Sequence, residues 1–216
     1  MFKILVKRTT EMKAPQDIVY DVNQDWTHFS HLHRKVIVKH RLLFKSGDRQ
    51  IFLYKARRLY PLPFYDDFIV FREDRPAQRG FRHVYVNAKT GGVHTLDAEL
   101  KSRGDWTFVE AEHFFSLPSY WRFLPRFFLR IFLWVYRWRM DEVFDEDNEW
   151  IYELMTNKNL PSSQACAPAI PEDYNVLDEF FKKEASELAD VQFDYRVSES
   201  FDGKGRLKFK KGVLSC

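Results

Sequence analysis

The 216-residue chain is long enough for one domain with an appendage, and its 45% hydrophobic and 17% aromatic residues are ample for a large core. Its 34 basic and 31 acidic residues leave a formal net charge of only +3, which argues against a dedicated nucleic-acid-binding protein. Cys166 and Cys216 form neither a disulfide framework nor a C-x-x-C pair, so we expect a reducing, cytoplasmic setting. The most apolar stretch, residues 123–138, is interrupted by proline and arginine and falls short of the ~20 apolar residues of a membrane span.

The first half of the sequence predicts a strand, a pair of short helices and a run of strands. Residues 2–9 alternate between apolar and polar and predict the opening strand. Pro15 stands where a first helical turn tolerates proline, and two small helices are expected from Ala14 to about His33. Six further strands are predicted, at residues 36–44, 50–59, 64–72, 81–87, 93–101 and 105–117. Their hairpin-length connections predict an antiparallel sheet.

The sequence period changes after Pro118. Residues 120–156 predict one long helix, or two in succession with Pro125 near the start. The order of elements predicts an α+β helix-grip fold of the Bet v 1/START-like type over residues 1–156, in which a curved sheet and the long helix enclose a cavity. Residues 157–172 have the composition of a linker, and residues 173–216 predict an amphipathic helix followed by either a hairpin or a partly disordered tail.

Three histidines and an acid lie within nine residues on the segment after the first helix: Asp25, His28, His31 and His33. Neutral imidazole is the commonest protein ligand of divalent transition metals, and a nearby carboxylate fixes the tautomer of a ligating ring. A straight helix would point His28 and His33 apart, so the two converge only if the helix ends, kinks or bulges between them. Taken alone, such histidines are more often surface or core residues than ligands.

A second histidine group is predicted on the strands. With a two-residue hairpin loop within residues 102–105, His94 lies opposite His113, and both point inward with the apolar residues of their strands. Pairing the preceding hairpin places Tyr85 opposite His94 and brings His83 near the same face. Because buried histidines need partners, this group predicts a polar pocket with a substrate, a metal or ordered water.

A third element is the acidic stretch of residues 145–149 on the long helix. Most such acids solvate a helix face, but Asp147 stands three residues after Phe144 and four before Ile151, at the border of the apolar side. One inward carboxylate with two histidines would complete a 2-His-1-carboxylate arrangement, which suits Fe(II) with open positions.

Asp25-x-x-His28-x4-His33 resembles the D/E-x-x-H-x4-H motif of the catalytic domain of Rieske-type ring-hydroxylating oxygenases, itself an SRPBCC helix-grip domain. The acidic stretch from Phe144 to Asp147 resembles the same family's helix segment. The resemblance covers about residues 1–156 and implies Fe(II) held by His28, His33 and Asp147, with Asp25 linking to the partner that delivers electrons. No cysteine pair is present to hold a [2Fe–2S] cluster in this chain, so the resemblance also implies a separate electron-transfer protein.

Three functions are therefore open. The first is an oxygenase-like metalloenzyme acting on a hydrophobic or aromatic substrate beside Tyr85, His94, His113 and His83. The alternative is a non-catalytic module of the START or polyketide-cyclase type that binds a lipid, sterol or polyketide. The third is peripheral membrane contact through the aromatic and arginine-rich residues 121–138, although we favour an interpretation in which those rings fill the floor of the cavity and the arginines face water.

Overall fold

The computed structural model describes residues 1–24, 32–58, 60–75 and 79–156, and the backbone of residues 195–201 and 207–209. The helices are α1 (Gln16–Gln24), a 3-10 helix (Ser119–Phe123) and α2 (Arg126–Thr156). The strands are β1 (Phe2–Met12), β2 (Ile37–Ser46), β3 (Arg49–Arg57), β4 (Tyr65–Asp74), β5 (Gly80–Asn87), β6 (Val93–Arg103), β7 (Trp106–Leu117), β8 (Tyr195–Phe201) and β9 (Leu207–Phe209).

All of the strands belong to one sheet, in the order β2-β3-β4-β5-β6-β7-β1-β8-β9. From β2 to β7 each strand pairs antiparallel with the next, and β1 closes the series by pairing antiparallel with β7. The seven predicted strands and their antiparallel pairing are confirmed. β1 extends past the predicted residue 9, because Thr10 to Met12 continue the ladder opposite Val109 to Thr107.

The long helix begins after a break at Pro125. Leu124 has an extended conformation, with ψ of 143°, because a proline disfavours the helical conformation of the residue before it. The break separates the 3-10 helix from α2, so the second of the two predicted arrangements is the one present.

The core lies between the sheet and the helices, in two main clusters. The C-terminal half of α2 buries Ile151 against α1 and the strand residues Met12, Phe81 and Val109. The N-terminal half packs Leu129, Phe132, Leu133, Tyr136 and Met140 on the sheet around Ile4, Val6 and Phe115. These positions recur at spacings of three and four and form one stripe of the helix. α2 therefore lies on the inner face of the sheet at both of its ends.

The backbone of β8 runs parallel to β1, and β9 pairs antiparallel with β8. This pair corresponds to the hairpin that the sequence offers as one alternative for the C-terminal segment. The predicted linker at residues 157–172 and the helix predicted after it lie outside the described residues. In the part of the chain that the structure describes, α2 and the shorter helices lack the uninterrupted apolar length that crossing a membrane requires.

Candidate functional site

The inner face of β5, β6 and β7 gathers the polar side chains that the sequence places together. Tyr85 pairs with His94, as predicted, and His83 pairs with Leu96. His94 and Tyr85 stack with ring centroids 5.0 Å apart and planes 15° apart. His94 also lies edge-on to Tyr136 of α2, with centroids 6.4 Å apart. Because Tyr136 belongs to the helix over the sheet, these contacts show that the group faces α2 and not the outside.

The predicted pairing of His94 with His113 is wrong by two residues. His94 pairs with Phe115, and His113 pairs with Leu96. The two-residue turn consists of Gly104 and Asp105, with Gly104 at a φ of 64°. Tight hairpin turns need a positive φ at their first central residue, and glycine adopts it without steric cost. A shift of two residues keeps each side chain on its predicted face, so both histidines still point inward.

His94 and His113 nevertheless contact each other diagonally across the sheet. His94 Nε2 lies 3.1 Å from His113 Nδ1, a hydrogen-bond distance. The ring of His94 is held between Tyr85 on one side and Phe115 on the other, whose centroid is 4.3 Å away in a stacked arrangement. His113 packs against Tyr136 at 5.1 Å. The pair is thus fixed in orientation by aromatic contacts.

His83 lies beside Tyr85 on the same inner face of the sheet. We call this surface, which includes His83, Tyr85, His94, His113 and Phe115, the aromatic wall. Its Nδ1 lies 2.9 Å from the Tyr85 hydroxyl, and the Phe81 and Phe52 rings pack against its imidazole at 4.8 and 6.1 Å. His83 is 4% exposed and His113 only 1% exposed. The second ring nitrogen of each, Nε2, is buried and has no hydrogen-bond partner among the described residues.

Burial keeps these histidines neutral. It lowers the pKa of His94 to about 3, and the nearby Arg139 guanidinium acts in the same direction. The pKa values of His83 and His113 are also lowered well below the ordinary range, first by burial and then by neighbouring positive charges. Burial likewise raises the pKa of Tyr85. At neutral pH the wall therefore presents uncharged donors and acceptors among aromatic rings.

The side chains of Tyr85 and His94 lie among many protein atoms but keep some solvent-accessible surface. Desolvation is the main cause of both pKa shifts, although each residue is only half-buried. The accessible surface of Tyr85 and His94 therefore marks the candidate ligand site, on the inner face of the sheet under α2.

Sequence analysis missed several residues of this wall. His40 of β2 pairs with Tyr54 of β3 and packs on the Phe52 ring at 4.8 Å. Tyr54 contacts the Tyr85 ring at 6.0 Å and has a hydrogen bond with Arg139 of α2. The alternation of β2 and β3 was a usable signal for His40 and Tyr54, since both share the inward face with their apolar neighbours. Nothing local in the sequence indicates the contact made by Arg139.

A separate polar cluster surrounds His33, between the segment after α1 and the acidic stretch of α2. His33 is fully buried; its Nδ1 lies 2.9 Å from Glu146 Oε2 and its Nε2 lies 3.0 Å from Asp147 Oδ1. Burial alone lowers the pKa of His33, but the hydrogen bonds and charges of Asp147 and Glu146 outweigh it, so that this pKa is raised. The structure thus brings together two members of the predicted metal triad, and adds Glu146.

The remaining residues of the predicted metal site cannot be placed against this cluster. Asp25, His28 and His31 lie outside the described residues. Among the residues that are described, no three histidine, cysteine, aspartate or glutamate side chains are arranged to hold a metal ion. The assignment of Fe(II) to His28, His33 and Asp147 stays a prediction.

Neither a family model nor a curated protein matches the sequence. Solved structures do match the fold. The Zhui aromatase/cyclase from Streptomyces sp. R1128 has a TM-score of 0.62 at 13% identity, covering 73% of this chain and 98% of its own. A norcoclaurine synthase point mutant from Thalictrum flavum, in complex with a transition-state analogue, has a TM-score of 0.51 at 11% identity, covering 71% and 96%. A START superfamily protein from Mycobacterium smegmatis has a TM-score of 0.50 at 11% identity, covering 69% and 98%.

These likenesses establish the architecture. The chain has the α+β helix-grip fold of the Bet v 1/START-like type, in which an antiparallel curved sheet holds a long C-terminal helix. At such low identity they show the fold and no more. They support the SRPBCC fold and not the narrower resemblance to the catalytic domain of ring-hydroxylating oxygenases.

Proposed function

We propose that this chain is a ligand-binding domain that holds a hydrophobic, ring-containing small molecule between the sheet and α2. The observation that carries this proposal is that the buried Nε2 atoms of His83 and His113, within an aromatic wall, have no hydrogen-bond partner among the residues that the structure describes. A buried polar atom without a partner costs roughly 1–3 kcal/mol, so a ligand that supplies the missing hydrogen bonds gains that amount. The ligand is therefore apolar over most of its surface and carries hydroxyl or carbonyl groups.

The class of ligand follows from the same wall. The solved structures that share the fold of this chain include an aromatase/cyclase and a START superfamily protein. The rings of Tyr85, His94 and Phe115 stack on one another, which leaves their edges for a ligand, and ring edges attract the face of a planar aromatic molecule. A hydroxylated polycyclic aromatic molecule of polyketide type fits better than an acyl lipid.

Binding fits these residues better than acid–base catalysis does. A general base works best when its pKa lies near the working pH. Burial lowers the pKa of His94 to about 3 and moves the pKa values of His83 and His113 the same way. At neutral pH they are weak bases, and their neutral rings serve as hydrogen-bonding anchors. We therefore propose a non-catalytic binding module.

Ligand titration tests the proposal. The full chain is titrated with a hydroxyanthraquinone and, separately, with a sterol, while quenching of intrinsic fluorescence is followed. We expect His113→Phe to weaken hydroxyanthraquinone binding by about 5- to 30-fold, since the ring remains and the nitrogen is lost. His113→Gln, which keeps a hydrogen-bonding group, is the matched control and should bind within a few-fold of the parent protein. Absence of binding to the parent chain, or equal binding by His113→Phe, would contradict this function.

A second candidate function is the mononuclear iron site, and the specific observation in its favour is the His33 cluster. Two ligands of one ion at about 2.1 Å, placed at right angles, lie roughly 3 Å apart. His33 Nε2 and Asp147 Oδ1 are 3.0 Å apart, while Glu146 holds the other ring nitrogen as an outer carboxylate does in metal sites. We propose that, if iron binds, His33 and Asp147 hold it with His28, and that Asp25 links the site to a separate electron-transfer protein that supplies the electrons.

Metal analysis of protein purified without chelators separates the two candidates. The iron proposal requires about one iron per chain, lost in His33→Ala and in Asp147→Ala. Glu146→Gln should lower iron affinity by about 10- to 100-fold without abolishing it. An iron-free chain that still binds the hydroxyanthraquinone leaves ligand binding as the function.

A further inference from the structure

Large aromatic side chains stand exposed on the 3-10 helix and the first turns of α2. Phe123 is 84% exposed and Trp134 is 54% exposed, and Tyr120, Phe127 and Phe128 are also exposed. A soluble domain places single apolar residues on its surface without consequence, but a contiguous group of this size marks an interaction site. We call these five residues, together with the exposed Arg122, Arg126 and Arg130, the aromatic–arginine face.

The helix geometry shows why this face is not part of the core. Phe127, Ile131 and Trp134 recur at spacings of four and three and lie on one side of α2, all exposed. The core-facing stripe of the same helix, which includes Phe132 and Tyr136, lies roughly 180° away around the helix axis. The interpretation that the rings of this segment fill the cavity floor is therefore wrong for Phe123, Phe127, Phe128 and Trp134.

The charges of the segment select the partner. Between Pro118 and Met140 the sequence contains five arginines and no aspartate or glutamate. Arg122, Arg126 and Arg130 are exposed beside the aromatic residues. Aromatic rings insert at the headgroup level of a bilayer while arginines meet lipid phosphates, and anionic lipids add attraction for each basic residue. An exposed aromatic surface with only positive charge is complementary to an anionic membrane surface.

We propose that the aromatic–arginine face docks this domain on an anionic membrane surface. On its inner side the same segment contacts the aromatic wall. Trp121 contacts Phe132 with ring centroids 5.4 Å apart, Phe132 contacts Phe115 at 5.1 Å, and Phe115 stacks on His94 at 4.3 Å. The proposed membrane contact is therefore connected to the candidate ligand site by a series of ring contacts. The docking proposal itself stands on the exposed rings and charges and does not depend on the ligand site.

Vesicle co-sedimentation of the full chain tests the proposal. Vesicles of phosphatidylcholine alone are compared with vesicles in which about one-third of the lipid is phosphatidylserine. We expect binding to the anionic vesicles that is at least tenfold stronger and that weakens with added salt. Phe123→Asn/Phe127→Asn should weaken it by tenfold or more, and Arg126→Gln/Arg130→Gln by about tenfold.

Matched controls keep the result specific. Lys39→Gln/Lys45→Gln removes the same charge from exposed positions of β2, and Tyr152→Asn removes an exposed ring from the far end of α2. Both should bind vesicles as the parent protein does. The proposal is overturned if the parent chain binds neither vesicle, or if face and control variants bind alike. It is also overturned if sedimentation shows a dimer that Phe123→Asn/Phe127→Asn dissociates, because the face then contacts a second copy.

Discussion

His94 Nε2 lies 3.1 Å from His113 Nδ1, in the middle of an aromatic wall. Two neutral imidazoles at that distance share one proton, so one ring donates and the other accepts. If His94 donates, the Nε2 atom of His113 carries a hydrogen and presents a donor to the interior; if His113 donates, the same Nε2 presents a lone pair. The pair is therefore able to present either a donor or an acceptor at His113 Nε2 by moving two protons, without a change in heavy-atom positions.

The first prediction concerns acid stability. The pKa of His94 is about 3 in the folded chain against an ordinary value of 6.5. The unfolded chain thus binds more protons between these values, and stability is lost as pH falls through this window, by about 1.4 kcal/mol per pH unit for one such group. His94→Phe removes this titration, so its free energy of unfolding should fall less steeply between pH 6.5 and pH 4. Urea unfolding at several pH values measures the slopes; equal slopes for the two proteins would show that His94 is not protonated on unfolding.

The second prediction concerns Gly80 at the start of β5. Its φ is +145°, and an added Cβ would overlap the backbone carbonyl oxygen of Ala98 on β6. Gly80→Ala should therefore destabilise the domain by about 2–4 kcal/mol. Gly91→Ala is the control, because Gly91 also has a positive φ but meets no atom within 4 Å, and it should cost only about 1–2 kcal/mol. Thermal unfolding of both variants compares them, and a Gly80→Ala protein as stable as Gly91→Ala would refute the close approach.

The third prediction concerns the buried ion pair of Arg72 and Asp74 on β4. Arg72 Nε donates to Asp74 Oδ1 at 2.7 Å, both side chains are almost fully buried, and a further N–H of Arg72 donates to the Asn23 carbonyl of α1. Asp74→Ala leaves a buried guanidinium without its counter-charge, so we expect a loss of about 3–5 kcal/mol. Glu73→Ala changes a neighbouring half-buried acid 3.5 Å from Arg49 and should cost under about 1 kcal/mol. Chemical unfolding that ranks the two variants the other way would contradict the assignment.

The fourth prediction uses two neighbours on α2. Ile151 is 2% exposed and packs in the core cluster with α1, whereas Tyr152 is 70% exposed. Ile151→Ala should lower the free energy of unfolding by about 2–4 kcal/mol through lost burial and a residual cavity. Tyr152→Ala should change it by less than about 0.5 kcal/mol. Similar losses in both variants would mean that the C-terminal end of α2 does not pack as described.

Local patterns predicted the architecture well, because alternation and short connections act between neighbours in the sequence. Tyr85 faces His94 as predicted, and His113 points inward even though its register is shifted. The shift arose because the glycine of the β6–β7 turn is compatible with two adjacent turn positions, and only the backbone conformation of Gly104 separates them. The face of the sheet on which a side chain lies is thus easier to predict than the register in which two strands pair.

Contacts between distant elements were harder to predict. The position of Asp147 on the apolar border of α2 is visible in the sequence, but the contact of Glu146 with His33 depends on how the helix lies over the segment after α1. The contact between Arg139 of α2 and Tyr54 of β3 likewise depends on how the helix lies over the sheet. The outward orientation of Phe123 and Trp134 was only the less favoured of two alternatives, because an arginine-rich aromatic segment has no clear amphipathic period.

The position of β1 in the sheet has a consequence for biosynthesis. Phe2 pairs with Leu117, and Met12 pairs with Thr107, so β1 is synthesised well before its antiparallel partner β7. At about 5–20 residues per second, this delay lasts several seconds. The hairpins from β2 to β7 are able to form during that time, while the apolar edge of β1 stays exposed to other chains. Pairing of β1 with β7 is therefore late relative to the hairpins, and the interval before it is the stage at which this domain is most prone to aggregate.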